Sequence, residues 1–235
     1  SAASDVYKRQ GLYAIILPNG KPFDFIIDNE VVDIRIKNIE DPVTGIEVKK
    51  SLNNKLFFDY MNYMTEKRKE SKAIGPKLKL PETTEKEKAK YKEQLNQIND
   101  DVVKMQQDII KNHSDKFVGL MLNMTIDPKL PDHPRDEDGN ITDSNFVYNY
   151  YVNHYWDNVN LKDYRTVNTP VFHNKLDRYF SMKGVIQIPD SVFHYAKKLI
   201  SQTDPVDQNN KVFQYVVHDI TNKYETCLLY TSDAA

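Results

Sequence analysis

The period of the apolar positions changes once along this chain, at Ser51. Before it, apolar residues alternate with polar ones or fall in short runs. Leu12–Leu17 is rich in β-formers, Pro18-Asn19-Gly20-Lys21 carries turn chemistry, and Phe23–Ile27 follows. Beyond a second turn at Asp28-Asn29, Val32, Ile34 and Ile36 alternate with polar residues. Asp41-Pro42 and Thr44-Gly45 then precede Ile46-Glu47-Val48. This pattern predicts a β-meander, or the edge of a β-sandwich-like domain, over residues 11–50. So few strands are marginal by themselves.

From Ser51, a good N-cap, the spacing becomes three and four. Leu56, Phe57, Tyr60, Met61 and Met64 give one apolar helix face over residues 52–72, stopped by Gly75-Pro76. The clearest periodicity follows. Tyr91, Leu95, Ile98, Val102, Met105 and Ile109 form a heptad stripe, and Thr84 with Glu87 offers a capping box ahead of it. The spacing predicts a long helix packed antiparallel on the first, with an intermolecular coiled coil as the alternative. Ser114 is expected to cap a short element over residues 115–124. Residues 126–142 read as a Pro- and Asp-rich loop, long enough to be functional or mobile. Thr142 is expected to cap a helix carrying Phe146, Tyr150, Tyr151, His154, Tyr155 and Trp156. Thr169-Pro170 starts another, stopping near Lys183-Gly184. Pro189-Asp190-Ser191 starts the next, and residues 208–224 form the last. The expected class is α+β: a short antiparallel β fragment, residues 11–50, then a mainly α-helical domain, residues 51–226, with a long helical hairpin.

Composition removes several kinds of chemistry. Lys and Arg number 32 against 34 Asp and Glu, so the net charge of -2 argues against a nucleic-acid partner. No apolar run approaches the roughly 18 residues of a membrane span. Seven glycines leave little for phosphate-cradling loops. Neither the Gly-x-x-x-x-Gly-Lys nor the Gly-x-Gly-x-x-Gly pattern occurs, nor a Gly-x-Ser-x-Gly elbow. The six histidines are scattered, with no His-Glu-x-x-His. The acidic loop Asp136–Asn140 fails the calcium-loop grammar. With Gly139 in the sixth position, Pro134 and Asn145 fall where an Asp and a bidentate Glu belong. No catalytic residue, metal ligand or cofactor is therefore assigned. The chain's 15 tyrosines are better used at an interface. Tyr150, Tyr151, His154, Tyr155 and Trp156 are the candidate interaction surface, because such rings combine large rigid area with a polar tip. The alternative is an aromatic core wetted at its edge.

The two ends share a signature at the DNA level. A back-translation of Ala2–Gln10, read as its reverse complement one base out of frame, encodes Cys227–Ala235 residue for residue. One element in opposite orientations looks like a transposase-type sequencing adapter read through as coding sequence. Residues 1–10 and 227–235 are therefore expected to be adapter-derived and are set aside from fold reasoning. The single cysteine, Cys227, falls in the second of these segments, so no thiol nucleophile is expected in the natural sequence.

Gly11-Leu12-Tyr13-Ala14-Ile15-Ile16-Leu17-Pro18, with Phe23-Asp24-Phe25-Ile26-Ile27-Asp28, resembles the end of an N-terminal β-domain of unknown function. Such a domain precedes thioredoxin-like modules in envelope proteins of gut anaerobes. Asn54–Met61 resembles the helix that follows it. Phe117–Met121, Asn149–Tyr151, His154–Trp156 and Thr169–Leu176 resemble the helical domain placed next. The parent group is the TlpA-like thiol–disulfide oxidoreductases, and the resemblance spans nearly all of residues 11–226. In that group a Cys-x-x-Cys pair on a thioredoxin fold does the redox work. No such pair is present here, so no catalytic residue carries over. The resemblance implies a non-catalytic accessory or interaction region of an envelope thiol–disulfide oxidoreductase. Its partners would be the thioredoxin-like module and a second copy of the chain. Its location would be the periplasm or cell envelope, with membrane contact only through an N-terminal anchor. A stand-alone helical adaptor is the alternative. A carbohydrate-binding or hydrolytic envelope protein, using residues 150–156 and Asp136–Asn140, is the second alternative.

Overall fold

A computed structural model describes residues 10–207 and 209–226. The expected adapter-derived residues 1–9 and 227–235, with Cys227, lie outside the described residues. The class is α+β, as the residue pattern predicts: among the described residues there are seven α-helices and two antiparallel sheets of two strands each. The chain forms two compact units, one ending at Leu122 and the other beginning at Asn123. This differs from the division expected between Lys50 and Ser51. The reason lies in the hydrogen bonds that tie the strands to the first helix.

In the first unit, β1 (Gly11–Ile16) pairs with β2 (Pro22–Ile27), from Gly11 opposite Ile27 to Ile16 opposite Pro22. Gly20, at φ +78°, supplies the left-handed position of the turn between them. β3 (Asp33–Ile36) pairs with β4 (Ile46–Lys50) in a separate sheet. The expected meander is thus broken between β2 and β3. The residues there serve helix ends instead. Glu30 accepts from the backbone N–H groups of Leu52 and Asn53, both at 3.0 Å, and from the Ser51 hydroxyl at 2.6 Å. It thereby satisfies the start of α1 (Leu52–Ile74) with a negative charge, which the helix dipole favours. Ser51 itself sits at φ 105°, a strained position for a non-glycine residue, and its Oγ accepts from the Asn54 N–H at 3.0 Å.

Two buried asparagines complete this junction. The Asn54 amide donates to the Ile26 carbonyl (2.7 Å) and accepts from the Ile26 N–H (2.8 Å), taking the place of a further strand beside β2. Asn53 Oδ1 accepts from the Val118 N–H at 3.0 Å. Asp28 Oδ2 accepts from the Phe117 N–H at 3.1 Å. The short helix α3 (Phe117–Met124) is therefore capped by residues distant in sequence rather than by Ser114 as expected.

α2 (Glu85–Asn112) returns beside α1. Lys77 lies over the Tyr91 ring at 5.8 Å, Lys67 pairs with Asp101 at 3.0 Å, and Leu56 and Ile109 line one groove. Those pairs run in opposite directions along the chain, so the hairpin is antiparallel. The Thr84–Glu87 capping box is formed as the sequence predicts.

The second unit contains α4 (Phe146–His154), α5 (Pro170–Tyr179), α6 (Pro189–Gln202) and α7 (Lys211–Thr226). Thr169 caps α5 through its hydroxyl, and Asn210 accepts from the first amides of α7. Thr142 does not cap α4; its hydroxyl donates to the Pro134 carbonyl at 3.2 Å. Buried residues recur every three or four positions: Phe172, Leu176 and Tyr179; Val192, Ala196 and Leu199; Val212, Val216, Ile220 and Tyr224.

Candidate interaction surface

The five residues proposed as a surface are divided by the structure. Tyr155 is 0% exposed and Trp156 is 6% exposed, so both belong to the core and correct the expectation. Tyr155 keeps helical angles and still meets Tyr151 edge-on at 5.3 Å, but with Trp156 it falls three and four positions after the buried Val152, on the core face of the helix. The Tyr155 ring stacks on Tyr179 with centroids 4.8 Å apart, and Trp156 meets Tyr179 edge-on at 5.2 Å and Phe172 at 5.9 Å. Three of the tyrosines are accounted for as core residues. Buried hydroxyls end on backbone carbonyls: Tyr155 on Lys175, Tyr179 on Val152 and Tyr224 on Phe180. Tyr150, Tyr151 and His154 stay half-buried at the rim. There, Tyr150 and His154 stack at 4.1 Å, and His154 Nδ1 lies 2.7 Å from an Asp157 carboxylate oxygen.

Burial pushes the Tyr155 hydroxyl up to about 12, from its ordinary 10, and pushes Tyr179 up as well. The folded unit then holds these protons where the unfolded chain would release them. Their contribution to stability is complete below pH 10 and is lost as pH rises through about 12. Lys175, lowered by burial, acts in the opposite sense, but its contribution is complete by its ordinary 10.5. Raising the pH from about 9 to about 12 is therefore expected to cost the second unit on the order of 2–3 kcal/mol. Denaturation followed by Trp156 fluorescence, alongside tyrosinate absorbance, measures it. An unchanged midpoint would contradict it.

One cluster escaped the sequence reading. Lys175 is 5% exposed, with its ammonium 4.4 Å from the Tyr155 ring centroid, 3.3 Å from Asp127 Oδ1 and 3.4 Å from the Ile126 carbonyl. The Arg178 guanidinium lies 5.3 Å from the same ring, donates from Nε to the Tyr155 hydroxyl at 2.8 Å, and pairs with Asp127. The available signal was a lysine inside the apolar stripe Phe172, Leu176, Tyr179.

The acidic loop forms a tight turn. Asp136 accepts from the Asn140 N–H at 2.8 Å, Gly139 adopts φ +83°, and Arg135 donates to the Gly139 carbonyl at 2.7 Å. The hydrogen bonds from the Asn140 backbone and then its side chain hold the Asp136 carboxyl below its ordinary value. Among the described residues no three His, Cys, Asp or Glu side chains gather where they could hold a metal ion, and no helix is long and apolar enough to cross a membrane.

On the first unit, the heptad stripe is incompletely covered. Tyr91, Leu95, Ile98, Val102 and Met105 are half-buried, and only Ile109 of the six is buried. At its base a groove of about 630 Å³ has Leu56, Met105 and Ile109 among its walls. Comparison of the chain with protein-family models, curated proteins and solved structures finds no match in any of the three.

Proposed function

We propose that this chain is a non-catalytic accessory and interaction region of an envelope thiol–disulfide oxidoreductase. The observation supporting an interaction role is the α1–α2 hairpin. Two helices alone cover an apolar stripe on one side only, and this stripe stays half-covered from Tyr91 to Met105. A third apolar surface would complete the burial, which at about 25 cal/mol per Å² is a substantial driving force. The redox and envelope parts of the reading rest on the resemblance of the segments at Gly11–Asp28, Asn54–Met61 and Phe117–Leu176 to the TlpA-like group. On this reading the occupant of the seam is a thioredoxin-like module or a second copy of the chain. The chain then positions chemistry performed elsewhere, in the periplasm, with membrane attachment left to an N-terminal anchor.

The deciding observation is the parent gene. A Cys-x-x-Cys thioredoxin unit encoded beyond Thr226 is expected, and any other continuation would overturn the redox assignment. Leu95→Glu places a charge in the half-covered seam and is expected to abolish association of the chain with itself or with that module in analytical ultracentrifugation. Association that survives the substitution would move the interface off the hairpin. The chain alone is expected to be silent in a disulfide-reduction assay.

A further inference from the structure

We infer that the second unit binds a small oxyanion, the carboxylate or phosphate group of a small molecule, in the cavity walled by Lys175 and Arg178. The cavity measures about 290 Å³ and is lined by Met124, Thr125, Val171, Asn174, Lys175 and Arg178. That size, at the lower end for ligand sites, suits a group of a few heavy atoms. Its wall combines a point-charge ammonium, a forked guanidinium and a carboxamide, which is the donor set of oxyanion recognition.

Charge balance supports an anion. Lys175 and Arg178 share one carboxylate, Asp127, which leaves one positive charge uncompensated in the cluster. The Lys175 side chain is 3% exposed, yet its distance of 3.3 Å to Asp127 exceeds the roughly 2.7–2.9 Å of a good ammonium–carboxylate contact. A buried ammonium held so loosely is costly. Burial lowers the Lys175 pKa, and the nearby Arg178 charge adds to the effect. The Arg178 guanidinium spends Nε on Tyr155 and Nη2 on Asp127, and its Nη1 has no partner among the described residues. The donors are also fixed in advance. Three residues apart on α5, they share one helix face and one aromatic ring. Binding then requires little reordering of the site.

The alternative is a purely structural tether between α5 and Asp127, and two substitutions separate them. Lys175→Met keeps the volume and leaves Asp127 paired with Arg178. In an oxyanion site it should melt no lower than the parent chain while binding at least roughly tenfold more weakly, the equivalent of one charge-assisted hydrogen bond. Asp127→Asn removes the internal competitor and should tighten binding several-fold. The measurement is calorimetric titration of the whole chain with inorganic phosphate, and separately with acetate, against chloride at equal ionic strength. Saturable uptake of phosphate alone assigns a phosphate-bearing ligand, and of acetate alone a carboxylate-bearing one. Uptake of both supports the shared chemistry. Neither anion binding, or both variants losing stability with no change in binding, would overturn the proposal.

Discussion

Asn54→Ala is expected to destabilise the first unit by about 3 kcal/mol, the cost of leaving two buried backbone groups unpaired. The Asn54 side chain is 0% exposed, and its amide exchanges both hydrogen bonds with Ile26, itself 0% exposed. Alanine strands the Ile26 N–H and C=O where water has little access. It also removes the 2.7 Å bond from Asn54 Nδ2 to the Ser51 hydroxyl, one of the contacts that holds Ser51 at its strained φ. Asn54→Asp keeps an acceptor for the N–H but turns a carboxylate on the Ile26 carbonyl, so it is expected to be at least as damaging. The measurements are the urea midpoint of the helical signal and hydrogen exchange at the Ile26 amide, which should lose protection first. A loss under about 1 kcal/mol would mean that water replaces the amide and that the junction is looser than its geometry.

That junction shows why part of the fold could be read from sequence and part could not. The hairpin stripe, its capping box and the Thr169 start of α5 depend on residues two to seven positions apart, so periodicity and local chemistry reveal them. Asp28, Glu30, Asn53 and Asn54 look in sequence like a polar turn and a polar helix start. Their partners lie up to 89 positions away, as with Asp28 and Phe117. Long-range polar burial leaves no period to detect, and this is why the β strands and α1 form one unit against expectation. Tyr155 and Trp156 fail for a different reason. They keep the phase of α4, three and four positions after the buried Val152, but aromatic residues on every side of this helix leave no single apolar stripe that would mark the core face. Lys175 was legible as a charge in an apolar stripe, but Asp127, which pairs with it, lies 48 positions away in the Pro/Asp-rich loop.

Gly184→Ala is expected to cost the second unit about 3 kcal/mol or more, in the range of severe overpacking. A Cβ at Gly184 would lie 2.1 Å from the Tyr179 carbonyl oxygen, 2.7 Å from its carbon and 2.8 Å from the Arg178 oxygen. All three are backbone atoms, so no rotamer change relieves the contact. The chain is held there by hydrogen bonds from the Gly184 N–H to Ser181 and from the Val185 N–H to Tyr179, at 2.9 and 2.8 Å, and Val185 is fully buried. The same substitution at Gly75 is the control. That residue has ordinary helical angles and, its two chain neighbours apart, nothing within 4 Å of the added atom. There Pro76 disfavours a Cβ in the helical conformation and offsets the gain from restricting the unfolded chain, so alanine should cost far less than at Gly184. Trp156, the one tryptophan of the sequence, lies in the second unit and reports the Gly184 variant by fluorescence. The Tyr179 carbonyl belongs to the last turn of α5, which also carries Arg178. Gly184→Ala should therefore weaken uptake of whichever oxyanion the site takes, along with stability. A variant that melted early yet bound that anion unchanged would separate the oxyanion site from the α5 terminus.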